Sequence, residues 1–120
     1  MKTTKKQFEE FKEECEKWIE FFGLRDWHID ICHEDIGKNA IARCGRLYED
    51  KLAEISYNLN MDDDIRYSIK ETAFHEVCHV LLGEFALLAQ DPKAREEELE
   101  NAEHTIVQKL VNSVYKNLAK

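Results

Sequence analysis

The sequence predicts an α+β domain in which one helix precedes three strands and two further helices follow them. Segments with helical spacing of apolar residues flank a central region in which apolar and polar residues alternate. No linker, internal repeat or low-complexity stretch interrupts the 120 residues. A chain of this length is large enough for one hydrophobic core but not for two. We therefore expect a single domain over residues 1–120.

The first predicted helix begins at Thr4, because Gln7 stands three residues further on in a capping-box pattern. Its apolar residues then recur every three or four positions, which is typical of the buried face of a helix. These residues are Phe8, Phe11, Cys15, Trp18 and Phe22. Gly23 follows, and glycine commonly ends helices. The stripe predicts core packing rather than a cofactor site.

Three strands are predicted over residues 27–32, 40–48 and 53–59, because apolar and polar residues alternate in each of them. The turn at residues 49–51 is short enough to join the second and third strands as an antiparallel hairpin. We therefore expect a three-stranded, mostly antiparallel sheet.

The most informative feature of the chain is the HEVCH sequence of residues 75–79, which lies in a stretch of helical apolar spacing over residues 65–89. On a helix, His75 and His79 lie one turn apart on the same face, where two neutral imidazoles can bind one Zn²⁺. Glu76 can then act as general base toward a water molecule at the metal. The alternative is that the histidines bond to nearby carbonyls or acidic side chains.

The last predicted helix begins at Asp91-Pro92, with aspartate as N-cap and proline as first helical residue. Its apolar residues follow the helical period and predict a core-facing stripe. They are Leu99, Ile106, Val107, Leu110, Val111, Val114 and Leu118.

A third metal ligand is expected on this last helix, because Glu103 falls on the apolar stripe. A carboxylate there is costly unless it is paired or bound to a metal. We therefore predict that His75, His79 and Glu103 bind zinc and leave one coordination position open. His104 and Glu100 are the alternatives for the third ligand.

Composition and charge narrow the classes of partner and compartment. The net charge of −8 argues against sequence-independent binding to nucleic acid phosphates. No apolar run reaches membrane-spanning length, and the N-terminus leads into an amphipathic helix rather than a signal peptide. None of the four cysteines forms a C-x-x-C pair, which disfavours a zinc ribbon. We expect a cytoplasmic protein with reduced cysteines, and its oligomeric state stays open.

The order of these elements resembles the minimal zincin metallopeptidase fold. More closely, the chain resembles the small SprT-like and ImmA-like metallopeptidases of bacteria and phages. The resembling segments are residues 27–31, 42–46, 54–59 and 75–79. In gluzincin-type members the third ligand is a glutamate on the next helix, which corresponds to Glu103. No H-x-x-G-x-x-H continuation is present, because Leu82 stands where the metzincin glycine would be, and this excludes the metzincin type.

The resemblance implies a zinc-dependent hydrolase that cleaves a peptide bond of a protein or peptide substrate. The substrate would extend along the edge strand of the sheet while Glu76 moves the proton from water to the leaving amine. The candidates for stabilising the oxyanion are Tyr57, Tyr67, Tyr115 and His104. Two other classes stay open: a catalytically silent zinc-binding adaptor or inhibitor, and a scaffold without metal. Glu76 favours the enzyme, because a structural zinc site has no use for a base.

Overall fold

The computed structural model describes residues 1–47 and 50–118 as an α+β arrangement, which confirms the predicted fold class at that level. The helices are α1 (Lys5–Phe21), α2 (Ile69–Leu81), α3 (Gly83–Gln90), α4 (Glu96–Leu110) and α5 (Lys116–Leu118), with a π-helical turn at Val111–Tyr115. The strands are β1 (His28–Glu34), β2 (Ala42–Leu47) and β3 (Leu52–Asn58). The last predicted residue of the second strand, Tyr48, and Glu49 of the predicted turn lie outside the described residues.

Helix α1 begins with the capping box that the sequence predicts. The Thr4 hydroxyl accepts a hydrogen bond from the Gln7 backbone N–H (3.1 Å), and the Gln7 side chain accepts one from the Thr4 N–H (2.8 Å). The helix packs through its apolar stripe, in which Phe11 and Cys15 are fully buried. Gly23 follows the helix with a φ of 68°, a conformation that glycine adopts without strain.

The sheet has the strand order β1-β3-β2 and is mixed. Strands β2 and β3 form the predicted antiparallel hairpin pairing, but β1 pairs with β3 in parallel, so the expectation of a mostly antiparallel sheet was wrong. The physical reason is the burial of β3, which is the most buried strand and therefore lies between the other two. The Asn58 side chain donates to the carbonyls of Gly37 (2.6 Å) and Ala40 (2.7 Å), which fixes the connection from β1 to β2.

The single helix expected over residues 65–89 is two helices, α2 and α3, which meet at a bend of 54°. Trp27 packs against Gly83 at this bend, where a Cβ atom would lie only 3.0 Å from the indole Cη2 atom. Within the described residues, no single helix is long and apolar enough to span a membrane. Helices α2 and α3 have sufficient length and apolar composition only when they are counted together across the bend.

Helix α4 begins later than the sequence suggested, and the prediction of a start at Asp91-Pro92 was wrong. Asp91 instead closes the end of α3 and accepts a hydrogen bond from the Lys93 backbone N–H (2.8 Å). The helix itself starts at Glu96 after Arg95. The aspartate side chain stabilises a turn here rather than a helix N-terminus, which are two roles that the same residue type fills.

The expectation that the apolar stripe of α4 faces the core is correct for Ile106 but wrong for most of the stripe. The helix packs through a narrower face at Ala102 and Ile106, and the π-helical turn buries Ser113. The larger side chains that stay exposed are Val107, Leu110, Val111, Val114, Tyr115 and Leu118. The radius of gyration is 15.7 Å. A compact domain of this length has about 14 Å, so the described chain is more extended than that.

The hydrophobic core lies between α1, α2 and one face of the sheet. Phe11 of α1 stacks on Tyr57 of β3 with ring centroids 4.8 Å apart, and Ile55 is fully buried beside them. Val77 and Val80 of α2 are also fully buried in this cluster. Because these two valines face inward, the histidines of the same helix face outward.

Candidate metal site on helix α2

The HEVCH residues lie in the middle of α2, as the sequence predicts. The helix starts at Ser68, whose hydroxyl accepts a hydrogen bond from the Glu71 N–H (3.2 Å) and caps the first turn. From there the apolar residues on one side of the helix enter the core, which fixes its rotation. That rotation leaves His75 and His79 exposed and buries Glu76.

The two imidazoles are close enough to share one metal ion. The Nε2 atoms of His75 and His79 lie 3.2 Å apart, and their ring centroids are 4.9 Å apart at an interplanar angle of 73°. Two Zn–N bonds of about 2.0–2.1 Å at a tetrahedral angle separate their nitrogens by about 3.3 Å. The histidine pair therefore fits two of the four positions of a tetrahedral zinc ion.

The electrostatic setting of His79 favours the neutral imidazole that metals bind. Burial lowers the pKa of His79, and the positive charges of His75 and Arg46 lower it further. A neutral imidazole keeps a lone pair on the nitrogen that binds the metal. Near neutral pH, His79 is therefore prepared to bind a metal without first losing a proton.

Glu76 follows His75 in the helix and is only 6% exposed. Burial raises the pKa of its carboxyl, and the charge of His75 offsets part of this effect. Its charge also reaches β2: burial raises the pKa of the Cys44 thiol to about 11, and the Glu76 carboxylate contributes to that shift. A carboxyl with a raised pKa is a stronger base than an ordinary glutamate, which suits general acid–base chemistry near neutral pH.

A cavity of about 380 Å³ opens beside Glu76, between the start of β2 and the first half of α2. Its lining comprises Ile41, Ala42, Arg66, Tyr67, Ser68, Glu71, Thr72, His75 and Glu76. Tyr67 is held there by its hydroxyl, which lies 2.6 Å from the hydroxyl of the buried Tyr57. Of the four candidates for stabilising an oxyanion, Tyr67 is the one that shares a cavity with His75 and Glu76.

The described residues do not bring a third protein ligand to the histidine pair. Over residues 1–47 and 50–118, no group of three or more His, Cys, Asp or Glu side chains has the geometry to bind a metal. Glu103, His104 and Glu100 are all exposed on α4. The prediction that Glu103 is buried is wrong, because Ala102 is the buried position beside it. Its role as a ligand stays a prediction.

Sequence reasoning missed Arg46, whose guanidinium Nη1 donates a 2.7 Å hydrogen bond to the backbone carbonyl of His79. The alternation along β2 could have indicated it, because Arg46 lies on the same half-buried face as Ala42 and Cys44. An arginine on the inner face of a strand needs an acceptor nearby. The helix that provides this acceptor cannot be identified from the alternation alone.

No protein-family model matches this chain, and no curated protein or solved structure was found to be significantly similar to it.

Proposed function

We propose that this protein is a zinc-dependent metallopeptidase of the cytoplasm in which His75 and His79 bind the metal and Glu76 is the general base. One observation carries the proposal: two imidazole nitrogens lie 3.2 Å apart, and the buried carboxyl of the neighbouring residue Glu76 lines a cavity together with His75. Histidine nitrogens at this separation suit zinc, and a carboxyl of raised pKa suits proton transfer. Glu103 of α4 remains the proposed third ligand, with His104 and Glu100 as alternatives.

When bound, zinc would lower the pKa of a water molecule and polarise the substrate carbonyl. The remaining work falls to side chains of this chain. Glu76 takes the proton from the attacking water and returns it to the leaving amine nitrogen, so the carboxyl ends the cycle as it began. Tyr67 lines the same cavity and can donate its hydroxyl hydrogen to the developing oxyanion.

The sheet edge beside the cavity suits an extended peptide as substrate. Strand β2 pairs with β3 on one side only, so its other edge is free for a further strand within the described sheet. Ala42 at the start of β2 lines the cavity together with His75 and Glu76. A peptide that adds to β2 would therefore place a backbone carbonyl near these residues. Main-chain pairing would supply affinity without demanding one particular sequence.

The test compares wild-type protein with Glu76→Gln and with the matched control Glu71→Gln. Glu71 lines the same cavity from the same helix but is exposed. Metal content would be measured by elemental analysis, and cleavage would be followed by mass spectrometry on a peptide library made from a proteome digest. We expect zinc in all three proteins and cleavage by wild type and Glu71→Gln only. Cleavage that survives in Glu76→Gln would refute the role of Glu76.

The ligand set is tested with alanine substitutions of the two histidines and of the three acidic or histidine candidates on α4. Loss of zinc with His75→Ala and His79→Ala is expected, together with loss in Glu103→Ala but not in His104→Ala or Glu100→Ala. Wild-type protein that holds no zinc after zinc is added back would refute the metallopeptidase proposal.

A second candidate function is a zinc-binding interaction module that does not turn over substrate. The exposure of both histidines and the absence of a third ligand group among the described residues favour it. In this case a carboxylate of a protein partner would complete the metal site. Stoichiometric zinc without any cleavage of the peptide library by wild type would favour the module over the enzyme.

A further inference from the structure

The C-terminal end of α2 is joined to β2 by the side chain of Arg46. This arginine lies in β2 opposite Ala53 of β3, and its Nη1 atom donates to the carbonyl oxygen of His79 over 2.7 Å. His79 occupies the last turn of α2, which ends at Leu81. A single hydrogen bond therefore connects the inner face of the edge strand to the backbone of the second histidine.

The carbonyl that Arg46 contacts is one that a helix cannot satisfy by itself. The last four carbonyls of an α-helix lack partners within the helix, and they carry the negative end of the helix dipole. In α2, the Leu82 backbone N–H bonds to the carbonyls of Cys78 and Val80. The guanidinium supplies the donor for His79, and its positive charge stabilises this end of the helix.

The stem of Arg46 is held in place by the bend between α2 and α3. A Cβ atom on Gly83 would lie 3.2 Å from the Arg46 Cδ atom and 3.0 Å from the Trp27 Cη2 atom. The alkyl stem and the indole therefore both pack closely on the Gly83 backbone, and Trp27 is only 9% exposed. Packing on this side restricts where the guanidinium can point, so its hydrogen bond has a defined direction.

We propose that Arg46 is a positioning residue for the metal site: it caps the last turn of α2 and thereby fixes the backbone from which His79 reaches the metal. The inference rests on the proposed function, because it assigns Arg46 a role only if the histidine pair binds zinc. Groups that orient a metal ligand typically change metal affinity about 10- to 100-fold when they are removed.

The test uses Arg46→Met, which keeps the alkyl stem against Gly83 but removes the donor, and Arg46→Lys, which keeps a charged donor. Arg43→Met is the matched control, because Arg43 lies on the outer face of the same strand and is exposed. Each protein would be stripped of metal with a chelator and titrated with zinc in competition with an indicator. Thermal unfolding in EDTA would be recorded in parallel, and the absorption spectrum of the cobalt-substituted protein would report ligand geometry.

We expect about 10- to 100-fold weaker zinc binding in Arg46→Met, a partial or full return of affinity in Arg46→Lys, and wild-type affinity in Arg43→Met. The cobalt spectrum should change in Arg46→Met alone. If Arg46 only stabilises the fold, Arg46→Met lowers the unfolding temperature in EDTA but leaves zinc affinity and cobalt spectrum unchanged, which overturns the inference.

Two outcomes separate this inference from the proposed function. Wild-type protein that binds no zinc overturns the metallopeptidase proposal, and the role of Arg46 falls with it. Wild-type protein that binds zinc while Arg46→Met binds it equally well overturns the role of Arg46 alone. Should Arg46→Met fail to fold, Arg46→Gln decides, because its side chain is uncharged and too short to reach the carbonyl: zinc binding weaker by about 10-fold or more supports the role of Arg46, and wild-type affinity overturns it.

Discussion

Gly83→Ala is expected to destabilise the protein through one contact at the bend between α2 and α3. The new Cβ atom would lie 3.0 Å and 3.2 Å from two ring atoms of Trp27, which is closer than carbon atoms normally approach. Overpacking of this kind costs about 1–3 kcal/mol. Alanine in a helix recovers about 0.5–1 kcal/mol relative to glycine. The expected net loss in the free energy of unfolding is therefore about 0–2.5 kcal/mol, with a mid-range value of about 1.25 kcal/mol.

The matched control is Gly45→Ala, because no atom lies within 4 Å of a Cβ atom built at Gly45. Alanine in this strand is expected to be neutral or stabilising by up to about 1 kcal/mol. For a chain of this size, 1 kcal/mol shifts the unfolding temperature by about 4 °C. Thermal unfolding followed by circular dichroism should thus place Gly83→Ala about 5 °C below wild type. Equal unfolding temperatures for Gly83→Ala and Gly45→Ala would refute the reasoning about Trp27.

Three further predictions concern other parts of the molecule. The hydrogen bond from Lys51 and the charge of Lys109 hold the pKa of Asp26 below its ordinary value of 3.8, although burial opposes them. Asp26→Asn should therefore lower stability at neutral pH by less than about 1 kcal/mol, and urea titrations should show this difference vanish as the pH falls through the lowered pKa. Val77 is fully buried, so Val77→Ala should lower the free energy of unfolding by about 2 kcal/mol or more in chemical denaturation. Val114 is exposed, so Val114→Ser should lower it by only about 0.5 kcal/mol. Equal losses in the two variants would show that the α4 stripe is buried. If the proposed peptidase activity holds, Tyr67→Phe should lower kcat about 100-fold with zinc affinity unchanged, and an unchanged kcat would remove Tyr67 from the oxyanion role.

The exposure of Glu103 and of most of the apolar stripe of α4 follows from the face through which this helix packs. Helix α4 packs on the rest of the domain through Ala102 and Ile106. The Lys109 ammonium group donates a 2.9 Å hydrogen bond to the backbone carbonyl of Gly23. Ala102, the most buried residue of this face, precedes Glu103 by one residue, and Ile106 belongs both to this face and to the predicted stripe. A change of one residue rotates a helix by about 100°, so Glu103 faces away from the core when Ala102 faces it.

Local periodicity allowed several elements to be predicted from the sequence. The capping box of α1, the hairpin of β2 and β3 and the helical HEVCH segment depend on residues close together in the chain, and the structure confirms them. The close approach of His75 and His79 is of the same kind, because an i, i+4 spacing sets it. The helical bend at Gly83 could not be predicted, since it depends on Trp27, which lies far away in the sequence.

The amino-acid sequence by itself determined which residues share a face of each helix and strand, because those faces follow from fixed backbone periods. It thereby determined that two histidines lie side by side with a glutamate at the next position. Tertiary structure decided which face of each element is buried: β3 became the central strand, α4 turned Glu103 outward, and Arg46 reached the carbonyl of His79. The physical reason is that burial is a competition among all apolar faces of the chain, and its outcome depends on contacts between distant residues.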